Sequence, residues 1–460
     1  MSELREPSAG LRRELGLWGA SSIVVGTIIG SGIFLVPTAM IKQVGTPGMV
    51  FAVWITGGLL ALAGALAYAE LSTAMPEAGG EYVYLREAYG PFWGFVYGWT
   101  QMWVAKSGSV ATLATAFFYY LANFRPSLEG VLCEIPLPIG PEGGPLEVRY
   151  GQLLAIVVIL SLGVVNYFGL KVGSGLQITV TIVKVTLIVG TIGVGLLAPL
   201  PPHAAASGAV AATGGWAGFF AALVAALWAY DGWNNLTMVS GEVRDPQRNL
   251  PPSLIVGTVI VVVLYLATNL AYFRVLSPGE VAGTNRVAAA MMARILGAPG
   301  AAAVSVAAMI SIFAALNGSI LSGARVPYAM ARDGLFFKAA GKVHPAYHSP
   351  SVSILLMSGW SAFLVLSGRY EQLFTYVIFA NWILYGMTAA SVIVLRHKRP
   401  EMPRPYRTPG YPVLPALFVL MAAGLVLSTL VKSPRESLLG LALIVAGIPF
   451  YLRWKHRKMA

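Results

Sequence analysis

The sequence predicts an all-α integral membrane protein with about twelve transmembrane helices, and its composition is the first observation behind that prediction. Hydrophobic residues make up 57% of the 460 residues, charged residues only 11%, and the mean hydropathy is +0.71. A soluble domain has about 25% charged residues, because water covers its surface. We therefore expect the lipid bilayer to cover most of the surface of this chain.

The second observation is the length of the apolar runs. A hydrocarbon core of about 30 Å needs roughly 20 apolar residues per helix. On that measure the runs predict spans near 17–40, 48–75, 92–122, 150–168, 173–199, 215–241, 252–276, 298–328, 350–367, 371–396, 411–431 and 436–455.

The third observation is the placement of charge. The formal net charge of +12 would suggest a nucleic-acid partner in a soluble protein, but here Lys and Arg lie between apolar runs, so we expect no nucleic acid. With the N-terminus inside, inner tails and loops hold 20 of the 31 Lys and Arg residues and outer loops hold nine. Because basic residues concentrate in cytoplasmic loops, we expect a multi-pass protein of the cytoplasmic membrane with both termini in the cytoplasm.

Metal and disulfide chemistry are not indicated. Cys133 is the single cysteine, so an internal disulfide framework is excluded. All five histidines fall in predicted loops or tails, so no span carries a cluster of His, Cys and carboxylates. We expect no metal and no cofactor.

The first span contains a predicted break. Its middle reads GTIIGSGIF at 26–34, with three small residues in a row at 30–32. Loss of helical backbone at this depth leaves N–H and C=O groups unpaired, which is tolerable only beside a cavity or a ligand. The second half of a broken helix offers N–H groups and partial positive charge to an anion, and the first half offers carbonyls to a cation.

The sixth span contains a second predicted break, at WAYDGWNN, residues 228–235. A carboxylate, two amides and three aromatic rings within eight residues do not suit a lipid-facing helix. An aromatic belt at the membrane interface is the alternative. About a dozen apolar residues precede Trp228 and more follow Asn235, which places the group near the midplane.

The two breaks lie five spans apart. Interruptions at corresponding positions of two five-helix halves indicate an inverted-repeat transporter with its site at the repeat interface. A zwitterionic α-amino acid fits two such breaks, with its carboxylate on helix N-termini and its ammonium on carbonyls. The residues therefore predict an amino acid transporter.

At these motifs the chain resembles the L-type amino acid transporter family of the amino acid–polyamine–organocation superfamily. GTIIGSGIF looks like that family's span 1 motif, and WAYDGWN at 228–234 with GEVRDPQRNLP at 241–251 is similar to its span 6 and following loop. NGS at 317–319, ARDG at 331–334 and LRHKRPE at 395–401 also fit. The resemblance runs from about residue 12 to the C-terminus and implies the leucine-transporter fold. That fold would be one transporter domain over 1–460, with a first repeat at 15–200, an inverted second repeat at 210–398 and extra helices at 411–455.

The resemblance also implies a substrate site built from the two breaks. The substrate carboxylate would lie on the backbone of Ser31, Gly32 and Ile33. The substrate ammonium would lie on carbonyls, those of Ile28, Trp228, Ala229 and Asp231. Trp228 would be the aromatic gate over the substrate, and Asn234 would lie near the substrate side chain.

Lys106 and Lys184 lie in the middle of spans 3 and 5. An uncompensated charge there costs at least about 2.5–3.5 kcal/mol, so we expect both side chains to face the interior. The resemblance places Lys184 where sodium-coupled relatives bind a sodium ion, and its ammonium would replace that ion by bonding carbonyls around Gly26 and hydroxyls of span 8. The sequence gives no role for Lys106. Glu70 and Glu242 we interpret as solvated carboxylates at span ends, with loop partners such as Arg248.

Three functions stay open on the sequence. The one we favour is sodium-independent transport of neutral L-amino acids by alternating access, as exchange or facilitated diffusion, with cationic substrates also open. A proton-coupled symporter that uses Lys184 is the second. An integral membrane enzyme or channel is the third, and it is disfavoured because an enzyme needs intramembrane acid–base or metal groups and a channel needs a pore-lining polar repeat.

Asp231 and Cys133 carry the two remaining expectations. An ionised Asp231 could accept the cationic group of a long substrate, or it could be committed to Tyr230, Asn234 or a mid-span lysine. The bulk of Trp228 favours small or flexible substrate side chains. Animal relatives link a cysteine of the same external loop to a single-span heavy chain, but the residues around Cys133 do not match closely, and we expect no such partner.

Overall fold

The structure is a computed structural model that describes residues 10–136, 146–199, 210–366, 370–432 and 434–459. Most of these residues are helical, and the sheet among them is one two-stranded antiparallel hairpin, β1 (Val131–Ile135) and β2 (Leu146–Arg149). The all-α prediction is confirmed. The helices are α1 (Leu17–Ile28), α2 (Gly32–Val44), α3 (Pro47–Ala74), α4 (Glu81–Tyr89), α5 (Pro91–Thr100), α6 (Lys106–Leu121), α7 (Tyr150–Tyr167), α8 (Leu170–Leu197), α9 (Gly215–Tyr230), α10 (Asn235–Met238), α11 (Pro246–Val275), α12 (Pro278–Gly283), α13 (Val287–Gly323), α14 (Arg325–Arg332), α15 (Ser351–Val365), α16 (Tyr370–Lys398), α17 (Val413–Lys432), α18 (Pro434–Val445) and α19 (Ile448–Met459).

Apolar helices account for the predicted spans. Within the described ranges, eight helices are long and apolar enough to cross a membrane, and α9 and α15 are shorter apolar helices. Span 3 is formed by α5 and α6, joined by a π-helical turn at Gln101–Ala105. Such turns are frequent at functional sites, and this one ends directly before Lys106. In α13 the backbone kinks at Gly297, close to the predicted start of span 8.

The loops lie in two groups, one at each end of the helices. We call these ends the inner end and the outer end. At the inner end, the segment before α1 pairs with the segment after α10, where the Leu15 amide donates to the Glu242 carbonyl at 3.0 Å. At the outer end, the loop after α2 meets the segment before α9, where the Val210 amide donates to the Gly45 carbonyl at 2.9 Å. When each helix crosses a bilayer once, the loops alternate between its two sides, and the loops here show that pattern.

Both broken spans lose helical backbone where the sequence predicts, between α1 and α2 and between α9 and α10. The two breaks touch each other. A Cβ atom on Gly32 would lie 2.6 Å from the Ala229 Cα, so this approach requires glycine. Gly232, with φ at +108°, lies in the same way against the backbone of Thr27, whose hydroxyl donates to the Gly232 carbonyl at 2.9 Å. The contact brings the free ends of both spans to one place.

The interpretation of Glu70 and Glu242 as solvated carboxylates is wrong. Their exposed fractions are 2% and 0%. Arg325 of α14 donates to both oxygens of Glu242, at 2.7 and 3.0 Å, and Arg396 of α16 donates to both oxygens of Glu70, at 2.9 and 2.7 Å. Burial of a carboxylate requires a close cation. Here the cations come from helices that pack against the span ends, and not from the loop that carries Arg248.

Candidate functional site

A small cavity lies between the two breaks. Ser109 and Leu113 of α6 and Ser319 of α13 complete its wall. The lining residues from the breaks are Thr27, Ile28, Gly30, Ser31, Gly32, Trp228, Ala229, Asp231, Gly232 and Asn235.

The start of α2 presents hydrogen-bond donors to this cavity. Gly32 and Ile33 are the first residues of α2, so their N–H groups have no partner within the helix, and the helix dipole adds partial positive charge there. The Ser31 hydroxyl is buried and has no hydrogen-bond partner in the part of the chain that the structure describes. Together these groups suit a carboxylate.

A tyrosine from α11 connects the two breaks on the opposite side. The Tyr265 hydroxyl lies 3.0 Å from the Ile28 carbonyl oxygen and 2.9 Å from the Ala229 carbonyl oxygen. Tyr265 is fully buried, and its ring packs on Trp54 at 5.2 Å between centroids. Carbonyls of both breaks therefore converge on one point, and their partial negative charge suits an ammonium group.

Asp231 has an internal partner, which the sequence left open. The Tyr385 hydroxyl of α16 donates to Asp231 Oδ1 at 2.8 Å, and the charge of Lys106 acts on the same carboxylate. Trp228 lines the cavity and is almost buried, at 7% exposure. The neighbouring Trp233 turns away from the cavity and packs edge-on against Tyr385, at 5.7 Å between centroids.

Lys184 lies behind the first break and does not line the cavity. It is fully buried, and its ammonium donates to the carbonyls of Gly26 and Ile29, at 2.6 Å each. The hydroxyl of Ser311, in span 8, donates to the same Ile29 carbonyl at 3.0 Å. The Lys184 side chain therefore holds two carbonyls that the broken helix leaves unpaired.

Two adjacent amides at the start of α10 are held by groups of opposite charge. The Lys106 ammonium donates to Asn235 Oδ1 at 2.5 Å, and the side-chain amide of Asn234 donates to the carboxylate of Glu81. Asn235 lines the cavity, whereas Asn234 does not. The resemblance implied a place near the substrate side chain for Asn234; of the two amides, Asn235 is the one in the cavity wall.

The structure thus brings six of the residues with implied substrate roles to the cavity wall: Ile28, Ser31, Gly32, Trp228, Ala229 and Asp231. Ser109, Asn235, Ser319, Tyr265 and Tyr385 were not predicted. The run KSGS at 106–109, small and polar in an apolar span, was an available signal for Ser109. The sequence contained no such signal for Tyr265 and Tyr385, since a single tyrosine in an apolar helix is common. Among the described residues, no group of three His, Cys, Asp or Glu side chains could hold a metal ion.

Known proteins match almost the whole chain. A family model described as amino acid permease matches residues 15–448. The chain is 33% identical over 452 residues to the serine/threonine exchanger SteT of Bacillus subtilis, covering 98% of each chain. It is 32% identical to the human b(0,+)-type amino acid transporter 1, covering 99% of this chain and 90% of that one. It is 29% identical to the human cystine/glutamate transporter, covering 96% and 85%.

Proposed function

Because the chain belongs to the amino acid permease family, we propose that it exchanges neutral L-amino acids across the membrane without sodium coupling. It is a transporter and not an enzyme. Relatives at about 30% identity over nearly the full length are named as an exchanger of serine and threonine and as amino acid transporters. Transport of amino acids is the activity that these names share, and exchange is named for one of them.

One observation supports the proposal: both breaks line one cavity, and each leaves backbone groups that suit one charged group of an α-amino acid. Its wall includes the start of α2, with free N–H groups, and Ile28 and Ala229, whose carbonyls meet at the Tyr265 hydroxyl. Substrate-coordinating ends of discontinuous helices are characteristic of transporters of this architecture.

Sodium independence rests on Lys184. In the first break its ammonium already bonds the Gly26 and Ile29 carbonyls, at 2.6 Å each. An inorganic cation at that position would compete with a covalently attached one. Transport should therefore proceed in sodium-free buffer.

The preference for neutral substrates rests on Asp231. Its carboxylate already accepts a hydrogen bond from the Tyr385 hydroxyl, and the charge of Lys106 acts on the same carboxylate. A lysine or arginine side chain would have to displace these partners. Trp228 limits the room, and we propose small or flexible substrates such as alanine and serine.

We further propose the organisation that the sequence predicts. The two repeats at 15–200 and 210–398 would be inverted copies around the cavity, and the inner end would face the cytoplasm of a cell whose surface membrane holds the protein. Cys133 is an exposed residue of β1. We propose that the protein works without a heavy chain linked there, so a Cys133→Ser variant should transport at the wild-type rate.

Reconstituted vesicles test the proposal. Proteoliposomes loaded with unlabelled alanine should take up labelled alanine in sodium-free buffer, whereas vesicles without internal amino acid should take up little. Uptake that requires a sodium gradient would contradict the proposal. Accumulation driven by an imposed proton gradient without internal amino acid would instead favour proton coupling.

A further inference from the structure

Glu81 is a fully buried carboxylate for which the substrate cavity gives no role. It is the first residue of α4, before span 3. No lysine or arginine nitrogen lies within 4 Å of its oxygens in the part of the chain described. A carboxylate in that position is costly to bury unless hydrogen bonds replace the lost water. The hydrogen-bond donors that take the place of this water must therefore be important to the protein.

Those donors come from the second break. The side-chain amide of Asn234 donates to Glu81 Oε1, and the Thr237 hydroxyl lies 3.1 Å from Oε2. The other polar atom of this amide, Asn234 Oδ1, is buried without a partner in the described residues. An arrangement that leaves one amide oxygen unpaired shows that the bond to Glu81 determines the orientation of Asn234.

The loop before α4 grips the same segment with its backbone. The Gly79 amide donates to the Met238 carbonyl at 2.9 Å, and the Ser240 hydroxyl donates to the Glu77 carbonyl at 2.7 Å. A Cβ atom on Gly80 would lie 2.8 Å from the Met238 nitrogen. The start of α4 and the second half of span 6 are therefore in direct contact, with Glu81 at the centre.

This contact bears on the cavity because Asn234 precedes Asn235, which lines it and accepts from Lys106. We propose that Glu81 is a positioning residue of the exchange cycle: its carboxylate holds Asn234, and so determines where Asn235 and Asp231 stand in the cavity wall. The proposal rests on the proposed exchange of amino acids. Glu81 acts through Asn234 and does not touch the substrate.

The test is an isosteric exchange of acid and amide. E81Q removes the charge but keeps the shape, N234D sets two carboxylates against each other, and E81Q/N234D restores one acid and one amide. We expect E81Q and N234D to lower the alanine exchange rate by about tenfold or more, as for lost hydrogen bonds to a charged group. The double variant should recover to within about threefold of wild type, since each partner again has a donor or an acceptor.

The control is E77Q, in the same loop, because the Glu77 side chain is 60% exposed. It should exchange alanine at the wild-type rate. Wild-type exchange by E81Q, or a double variant no better than the worse single variant, would overturn the proposal. Recovery in the double variant is the result that a role in folding alone does not predict.

Thermal unfolding of the four purified proteins separates this proposal from the proposed function. If the wild-type protein exchanges no amino acid, the proposed function fails, and the unfolding cycle then decides about Glu81. Midpoint shifts that are not additive retain the Glu81–Asn234 pair, whereas additive shifts overturn it.

Discussion

The break in span 1 and the break in span 6 line the same cavity but are built from different groups. In span 1 the break consists of small residues, and Lys184 and Ser311 hold its carbonyls from behind. In span 6 the break carries bulky and charged side chains, and side chains of other helices hold them. These pairs are Asp231 with Tyr385, Asn234 with Glu81, and Asn235 with Lys106.

The difference suggests a division of tasks. Every α-amino acid has the same carboxylate and ammonium, and backbone groups are enough to bind them. Substrate side chains differ, and only protein side chains can tell them apart. Changes in the span 1 break should therefore affect all substrates equally, whereas changes in the span 6 break should alter which substrates are carried.

The largest effect is expected for Gly32→Val. A Cβ atom at this position would meet the Ala229 Cα at 2.6 Å and force the two breaks apart. A shift of this size should reduce exchange about a hundredfold, and to the same extent for alanine, serine and leucine. Initial rates in proteoliposomes measure it. Gly190→Val in α8, where a Cβ meets nothing within 4 Å, is the control. Unequal losses among the three substrates would contradict the division of tasks.

A smaller loss is expected for Lys184→Ala. It removes the donor from the Gly26 and Ile29 carbonyls, and exchange should fall about tenfold, while alanine binding changes less. Lys171→Ala, in which an exposed lysine is lost, should have no effect. Wild-type rates in sodium-free buffer would refute the role of Lys184 as a fixed cation. A gain of sodium dependence would strengthen it.

Tyr265→Phe should weaken binding of every substrate. Loss of the hydroxyl leaves the Ile28 and Ala229 carbonyls less ordered, and the KM for alanine should rise about threefold to tenfold. Tyr272→Phe, in the same helix, is the matched control, because the contact of its hydroxyl with the Ile33 carbonyl is long, at 3.4 Å. Equal effects of the two variants would show that the α11 hydroxyls act on stability and not on the site.

The smallest effect on alanine exchange, about twofold or less, is expected at Asp231, whose partners are inside the protein. Asp231→Asn should leave competition by lysine and arginine as weak as in wild type. Tyr385→Phe frees one carboxylate oxygen and should increase that competition, because an unpaired acceptor is available to a cationic side chain. If arginine competes strongly in the wild type and Asp231→Asn abolishes that competition, Asp231 is a direct selectivity residue.

Local composition was sufficient to predict the spans and the breaks. Apolar runs of about twenty residues define the spans, and Gly30, Ser31 and Gly32 interrupt one of them with residues that favour neither helix nor lipid. The six cavity residues implied by the resemblance follow from the same two segments. The hairpin of β1 and β2 was not predicted, since the sequence between its two strands is rich in Pro and Gly.

Apart from the contact of Lys184 with Gly26, which the resemblance implied, pairing between distant segments could not be predicted. Glu70 and Arg396 are 326 residues apart, and Glu81 and Asn234 are 153 residues apart. Each pair depends on which helices become neighbours, and hydropathy does not specify that. The error for Glu242 has the same origin, because Arg325 approaches it from α14 and not from the adjacent loop.

A phenol carries a single hydrogen, and the Tyr265 hydroxyl has two carbonyl oxygens within bonding distance. At any moment one of the two accepts nothing from it. Ile28 and Ala229, which line the cavity, thus have more carbonyl lone pairs than Tyr265 has hydrogens to donate to them. Alanine brings three hydrogens on its nitrogen, lactate one on its hydroxyl, and pyruvate none. We expect lactate and pyruvate, which match alanine in size and carboxylate, to compete poorly for exchange. Discrimination for nitrogen over oxygen then follows from a count of hydrogens.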